Sequence, residues 1–195
     1  MFTASKLKKE NICQYVLYMW LVEDLARAFN FDSDRLAAYM IASNRNEMAQ
    51  KDAAQVDDEH IRELKTWYAD IANMMLKEGL REQGHLPMVA NTLLEVEELH
   101  LMLLRLGKDV EYNMAWRAVE GLVTILKSRS AKPATMGDIE MCITFIYLSM
   151  GLERTGKLND ETRASRDRIS SFLGLLAKRY KAWKDNNEEF DGAGE

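Results

Sequence analysis

His60, His85 and His100 are the three histidines of the chain, and two of them follow an acid by three residues, in Asp57-x-x-His60 and Glu97-x-x-His100. On a helix, positions i and i+3 project the same way, so two such segments form the ligand pattern of a carboxylate-bridged metal pair in a bundle core. Register argues against that chemistry. If the two helices form an antiparallel hairpin centred on Leu86, His100 stands level with Ala72, and His60 lies roughly 18 Å further along at the helical rise. One metal pair cannot use both, and Asp57 also holds the position of an N-cap. Spacing therefore assigns no metal, no cofactor and no catalytic set.

The same hairpin leaves a smaller constellation. Glu78 lies one turn after Met75 on an apolar stripe, Glu97 and His100 lie beside Val96, Leu103 and Leu104, and Glu23 flanks the apolar face of the first helix. Glu23, Glu78, Glu97 and His100 are the candidate ligand-binding residues. Carboxylates with an imidazole in a bundle core suit a single metal or an acid–base pocket. The competing reading is a set of buried polar groups satisfied by hydrogen bonds and by Arg27 or Arg81, because buried charge must be paired. Structural pairs outnumber sites, so this reading takes precedence. Asn11 reads as another satisfied buried polar group, and His85, in Gly84-His85-Leu86-Pro87, as a turn residue that caps the preceding helix.

Elsewhere Arg163, Arg166, Lys178, Lys181 and Lys184 line one side of the last helix. They could track phosphates, or form a solvated face. The chain carries 26 Lys and Arg against 31 Asp and Glu. Five of those acids and no base lie in 185–195, so the remainder is balanced. A basic footprint is missing, which argues against nucleic acid as a partner. There is no phosphate loop, no Gly-x-Ser-x-Gly and no His-Glu-x-x-His.

The elements that position these residues are helices. Only 2 prolines and 10 glycines punctuate 195 residues that are 47% hydrophobic and 29% charged, which excludes an all-β fold and whole-chain disorder. Apolar residues at three- and four-residue spacing predict helices over Ser5–Phe29, Asp34–Ser43, Asp57–Arg81, Met88–Leu106, Asp109–Ser128, Asp138–Arg154 and from an Asn159 cap to Trp183. Residues 44–55 read as a loop or a frayed helix end, 131–135 as a loop, and Gly84 as the stop of the third helix. The sixth helix has no polar face and should be the most buried. Cys13 and Cys142 lie in apolar runs without redox or zinc spacing and read as buried thiols in a reducing cytosol. No apolar run approaches the about 20 residues needed to cross a bilayer, so a cytoplasmic protein without membrane contact is expected.

The residues Lys8-Lys9-Glu10-Asn11-Ile12, Tyr15, Leu17-Tyr18-Met19-Trp20 and Val22-Glu23-Asp24-Leu25 resemble the opening helix of a bacterial family known as a domain of unknown function. Similar segments follow in order at Met74-Met75, Glu78-Gly79, Gly84-His85-Leu86, Glu98-Leu99-His100, Leu103-Leu104, Ser171-Phe172-Leu173 and Leu175-Leu176-Ala177. The resemblance spans nearly the whole chain. It implies an all-helical single domain and brings no catalytic residues with it.

These readings combine into an all-α, single-domain bundle of six or seven helices over residues 1–184, with an acidic disordered tail at 185–195. The expected function is non-enzymatic and works through association. Tyr15 to Val22 is apolar all round, so Leu17, Trp20 and Leu21 need a second cover beyond the core face. The sixth helix, also apolar all round, could supply that cover within the chain; a two-fold copy of the first helix, giving a homodimer, is the alternative preferred.

Overall fold

A computed structural model describes residues 2–48, 58–130 and 136–191, apart from the side chains of 2, 44–48, 60 and 187–191. Among the described residues the fold is all helical. It has eight helices: α1 (Phe2–Glu10), α2 (Ile12–Ala28), α3 (Ser33–Met48), α4 (Asp58–Lys77), α5 (Pro87–Leu106), α6 (Val110–Ser128), α7 (Asp138–Arg154) and α8 (Asp160–Asp191). None of them is long and apolar enough to cross a membrane.

The count exceeds six or seven because the first predicted helix breaks at Asn11. The Asn11 side chain accepts the Gln14 amide at 3.1 Å and so caps α2 from a half-exposed position, in place of the buried role expected of it. Caps elsewhere fall where the residue types place them. Asp32 accepts from Arg35 N–H at 3.0 Å, Asp109 from Tyr112 N–H at 3.0 Å and Asn159 from Thr162 N–H at 2.8 Å.

Three boundaries differ from the pattern reading. α4 stops at Lys77, because Gly79 takes φ +71°, its N–H reaches Leu76 O, and Leu80 N–H reaches Met75 O at 2.9 Å. That left-handed C-terminal motif closes the helix before Gly84 is reached. α3 continues through 44–48, in the stretch read as a loop or a frayed helix end, while 49–55 and 131–135 lie outside the described residues. α8 runs to Asp191, so its last turns enter the stretch read as an acidic tail.

The chain groups into two compact units where the sequence reading has one helical domain. The first comprises residues 1–5 and 18–90, the second 6–17 and 91–195. In the first unit α3 packs on α4. Its buried residues include Met19, Trp20 and Val22 from α2, Leu36 and Met40 from α3, and Tyr68, Ile71 and Met75 from α4. In the second unit α6, α7 and α8 pack on one another. Tyr112, Trp116, Val119 and Val123 from α6 are buried there, with Ile139 and Cys142 from α7 and Ile169, Phe172 and Leu176 from α8.

An unbroken apolar run does not mean burial on all sides. The first half of α7 is buried, but Leu148 is exposed and Leu152 partly so. On α2, Trp20 is covered by its own unit: its ring stacks on His85 with centroids 4.6 Å apart and planes 12° from parallel. Leu17 and Leu21 are half-buried. The turn at residue 85 thus covers Trp20, while Leu17 and Leu21 keep part of their surface open.

Candidate functional site

Glu23 and Glu78 belong to the first unit. Glu23 is fully buried on α2, and its two oxygens are both used. Oε1 accepts the Leu86 amide at 2.9 Å, and Oε2 lies 2.6 Å from Nδ1 of His85. A carboxylate only accepts, so the imidazole presents its Nδ1–H to Glu23, which fixes the orientation of the ring. Arg27, one turn on from Glu23, donates to Leu80 O at 3.2 Å and to Gly84 O, and pairs with Asp24 at 2.9 Å. Two side chains of α2 thus hold the 80–86 turn by its backbone. His85 faces α2 and does not cap α4. Glu78 takes no part. It stands just beyond the end of α4 and is exposed, so among the described residues no neighbouring element covers that end of the stripe.

Glu97 and His100 belong to the second unit and meet at the start of α7. Gly137 is the N-cap residue of α7 and has no side chain to cap it. The Glu97 carboxylate performs that task from α5, accepting Asp138 N–H at 2.8 Å and Ile139 N–H at 2.9 Å. The first-turn amides and the positive end of the helix dipole both favour an anion there. Burial pushes the Glu97 carboxyl up, and the amide bonds oppose that shift without cancelling it.

His100 is completely buried. Its Nδ1 lies 2.7 Å from the Tyr112 hydroxyl, and its ring meets Trp116 and Phe172 edge to face at 4.5 and 5.9 Å. Nε2 has no hydrogen-bond partner and stands 3.9 Å from Asp138 Oδ2, which is too far for a hydrogen bond. Burial among aromatic rings lowers the His100 pKa to about 4, against a smaller opposing pull from Asp138. The imidazole is therefore neutral at pH 7. Asp138 itself is paired with Lys127 at 2.9 Å.

The four candidates are thus divided between the units, two to each. Glu23 and Glu97 each clamp a backbone segment, His100 fills an aromatic core, and Glu78 is solvated. Among the described residues no three His, Cys, Asp or Glu side chains are placed to hold a metal ion. Asp57 and the His60 side chain lie outside the described residues. Nothing in the sequence links Glu97 with the α7 amides about forty positions away; a glycine immediately before a helix start is the one available hint that the cap must come from elsewhere.

The basic stripe of α8 is mostly neutralised. Arg163 and Arg166 both bond Glu153, at 3.3 and 2.6 Å, Lys181 pairs with Asp185 at 2.8 Å, and Lys184 pairs with Glu95 at 2.8 Å. Paired ammonium and guanidinium groups leave little positive field with which to track a phosphate backbone.

A family model described as a domain of unknown function, DUF4924, matches residues 1–187. The chain belongs to the DUF4924 family. No curated protein and no solved structure matches it.

Among the described residues, one series of exposed apolar side chains of this DUF4924 chain spans the end of α5 and the start of α6. Met102 and Leu106 stand one turn apart at the end of α5, Val110 and Met114 one turn apart at the start of α6, and the Gly107–Asp109 turn joins the two pairs. Leu106 is 57%, Val110 68% and Met114 67% exposed. Scattered surface leucines need no explanation, but four large exposed apolar residues within one short stretch of chain do.

Proposed function

We propose that this DUF4924 protein is a non-catalytic helical protein that works by association, and that it pairs with a second copy of itself through the α5–α6 corner. The carrying observation is the exposed run Met102, Leu106, Val110 and Met114. Removing the exposed half of such side chains from water is worth about 1 kcal/mol each, enough to favour a contact and a liability if left open. Closed two-fold pairs, in which one patch meets its own copy, are the commonest way to cover such a surface. The greater exposure of this corner favours it over Leu17, Trp20 and Leu21 as the contact. The free, buried thiols of Cys13 and Cys142 fit a cytoplasmic setting, where disulfides do not persist.

The test is light scattering on the wild type and on Val110→Glu/Met114→Glu. The expected mass is twice the 22.5 kDa of one chain for the wild type and that of a single chain for the variant. A wild type that stays at the single-chain mass at every concentration rejects the reading.

A further inference from the structure

In the second unit, residues of α1, α5 and α8 and the start of α2 border a cavity of about 520 Å³. That volume lies within the range of small-ligand sites. Ile12 and Ala177 supply apolar wall, and Lys8, Lys9, Lys181 and Lys184 supply four ammonium groups. Three carboxylates, those of Glu10, Glu95 and Asp185, share the lining, so the cavity carries one positive charge in excess.

The carboxylates are not evenly available to the lysines. Glu95 accepts from the Tyr180 hydroxyl at 2.8 Å and from Lys184 at 2.8 Å. Burial alone would raise the Glu95 pKa, but those bonds and the charges of Lys184 and Lys8 bring it below the usual value, so it is a satisfied anion. Asp185 is held by Lys181 at 2.8 Å. Lys8 lies 5.5 Å over the Tyr15 ring, and among the described residues neither Lys8 nor Lys9 makes a hydrogen bond or ion pair. Of the four ammonium groups, Lys9 has no direct partner among the described residues, and Lys8 is engaged only by the Tyr15 ring and, at longer range, by the Glu95 charge. They share the lining with Ile12, Ala177 and Tyr180, while Lys184 lies over the Tyr180 and Trp183 rings at 5.6 and 4.9 Å.

We propose that this cavity binds a small organic monoanion, with its acidic head on Lys8 and Lys9 and its apolar body against Ile12, Ala177 and Tyr180. The small positive excess of the lining favours a singly charged acid. The apolar wall favours an acid with a hydrocarbon or aromatic part over inorganic phosphate. The site is separate from the α5–α6 corner and does not depend on pairing.

The probe is 8-anilinonaphthalene-1-sulfonate, an aromatic monoanion whose fluorescence rises on transfer from water, compared with N-phenyl-1-naphthylamine, which has the same rings and no charge. Saturable binding of the sulfonate by the full chain is expected, with the neutral amine weaker. Lys8→Gln/Lys9→Gln should weaken sulfonate binding about tenfold or more through loss of two charge-assisted contacts. Lys178→Gln, on the exposed side of α8, should leave it within about twofold, since a distant surface charge is screened. The double variant replaces two exposed residues, so its thermal midpoint should match the wild type and report an intact fold. Absence of saturable sulfonate binding, equal binding of the neutral amine, or unchanged affinity in the double variant each overturns the proposal.

Discussion

The Glu97 carboxylate fills the space that a side chain at Gly137 would need, and from there it takes the Asp138 and Ile139 amides at 2.8 and 2.9 Å. A methyl group at position 137 would overlap that carboxylate, so the glycine and the distant cap depend on each other. Gly137→Ala should destabilise the protein by about 1–3 kcal/mol through overpacking, and Glu97→Ala by about 1–2 kcal/mol through loss of the cap. Because both changes break one interaction, the double variant should cost much less than the sum of the two. Urea unfolding of all three variants checks this; additive losses would mean that the two residues are independent.

The buried His100 makes stability depend on pH in a definite direction. Its pKa is about 4 in the folded chain against an ordinary 6.5, so the unfolded chain binds the extra proton first as pH falls. The His100 contribution is complete above about pH 6.5 and is lost as pH drops towards 4. Between pH 7 and pH 5 it amounts to about 2 kcal/mol. His100→Phe should flatten the pH dependence of the unfolding free energy over that window. An equal slope in wild type and variant would remove His100 as its cause.

Glu23 is a buried clamp whose two partners both lie in the 85–86 turn. Truncation to Ala leaves the Leu86 amide buried without an acceptor and frees His85, for an expected loss of about 2–4 kcal/mol. Glu23→Gln keeps one acceptor and should lose less. Hydrogen exchange at Leu86 gives a local reading, with faster exchange expected in Glu23→Ala. Protection equal to the wild type would show that Glu23 does not hold the turn.

Two glycines with open space around them should respond with opposite signs. Gly121 lies inside α6 with nothing within 4 Å of an added methyl, so Gly121→Ala should stabilise by about 0.5–1 kcal/mol through helix propensity. Gly79 has equal room but φ +71°, so Gly79→Ala should destabilise by about 1 kcal/mol. Thermal midpoints of the two variants that shift in the same direction would contradict the α4 stop.

The helices and their caps were legible in the sequence because they are set by nearby residues. Periodicity located α7 at Asp138–Arg154, and short polar side chains at Asp32, Asp109 and Asn159 marked helix starts, since each bonds an amide three residues on. Where two local signals competed, at Gly79 and Gly84, only the folded backbone decided which one ended α4. The polar residues Glu23, Glu97 and His100 stood out in the sequence, but their partners did not. Glu23 meets a turn 62 and 63 positions away, and Glu97 meets amides 41 and 42 positions away. Such pairings follow from how helices pack, which hydrophobic spacing does not encode. The same holds for exposure: Trp20 and Leu148 both sit in apolar helical runs, and tertiary packing alone covers the first and leaves the second in water. Local hydrogen bonds and side-chain entropy make a helix, whereas burial depends on which surface arrives opposite it.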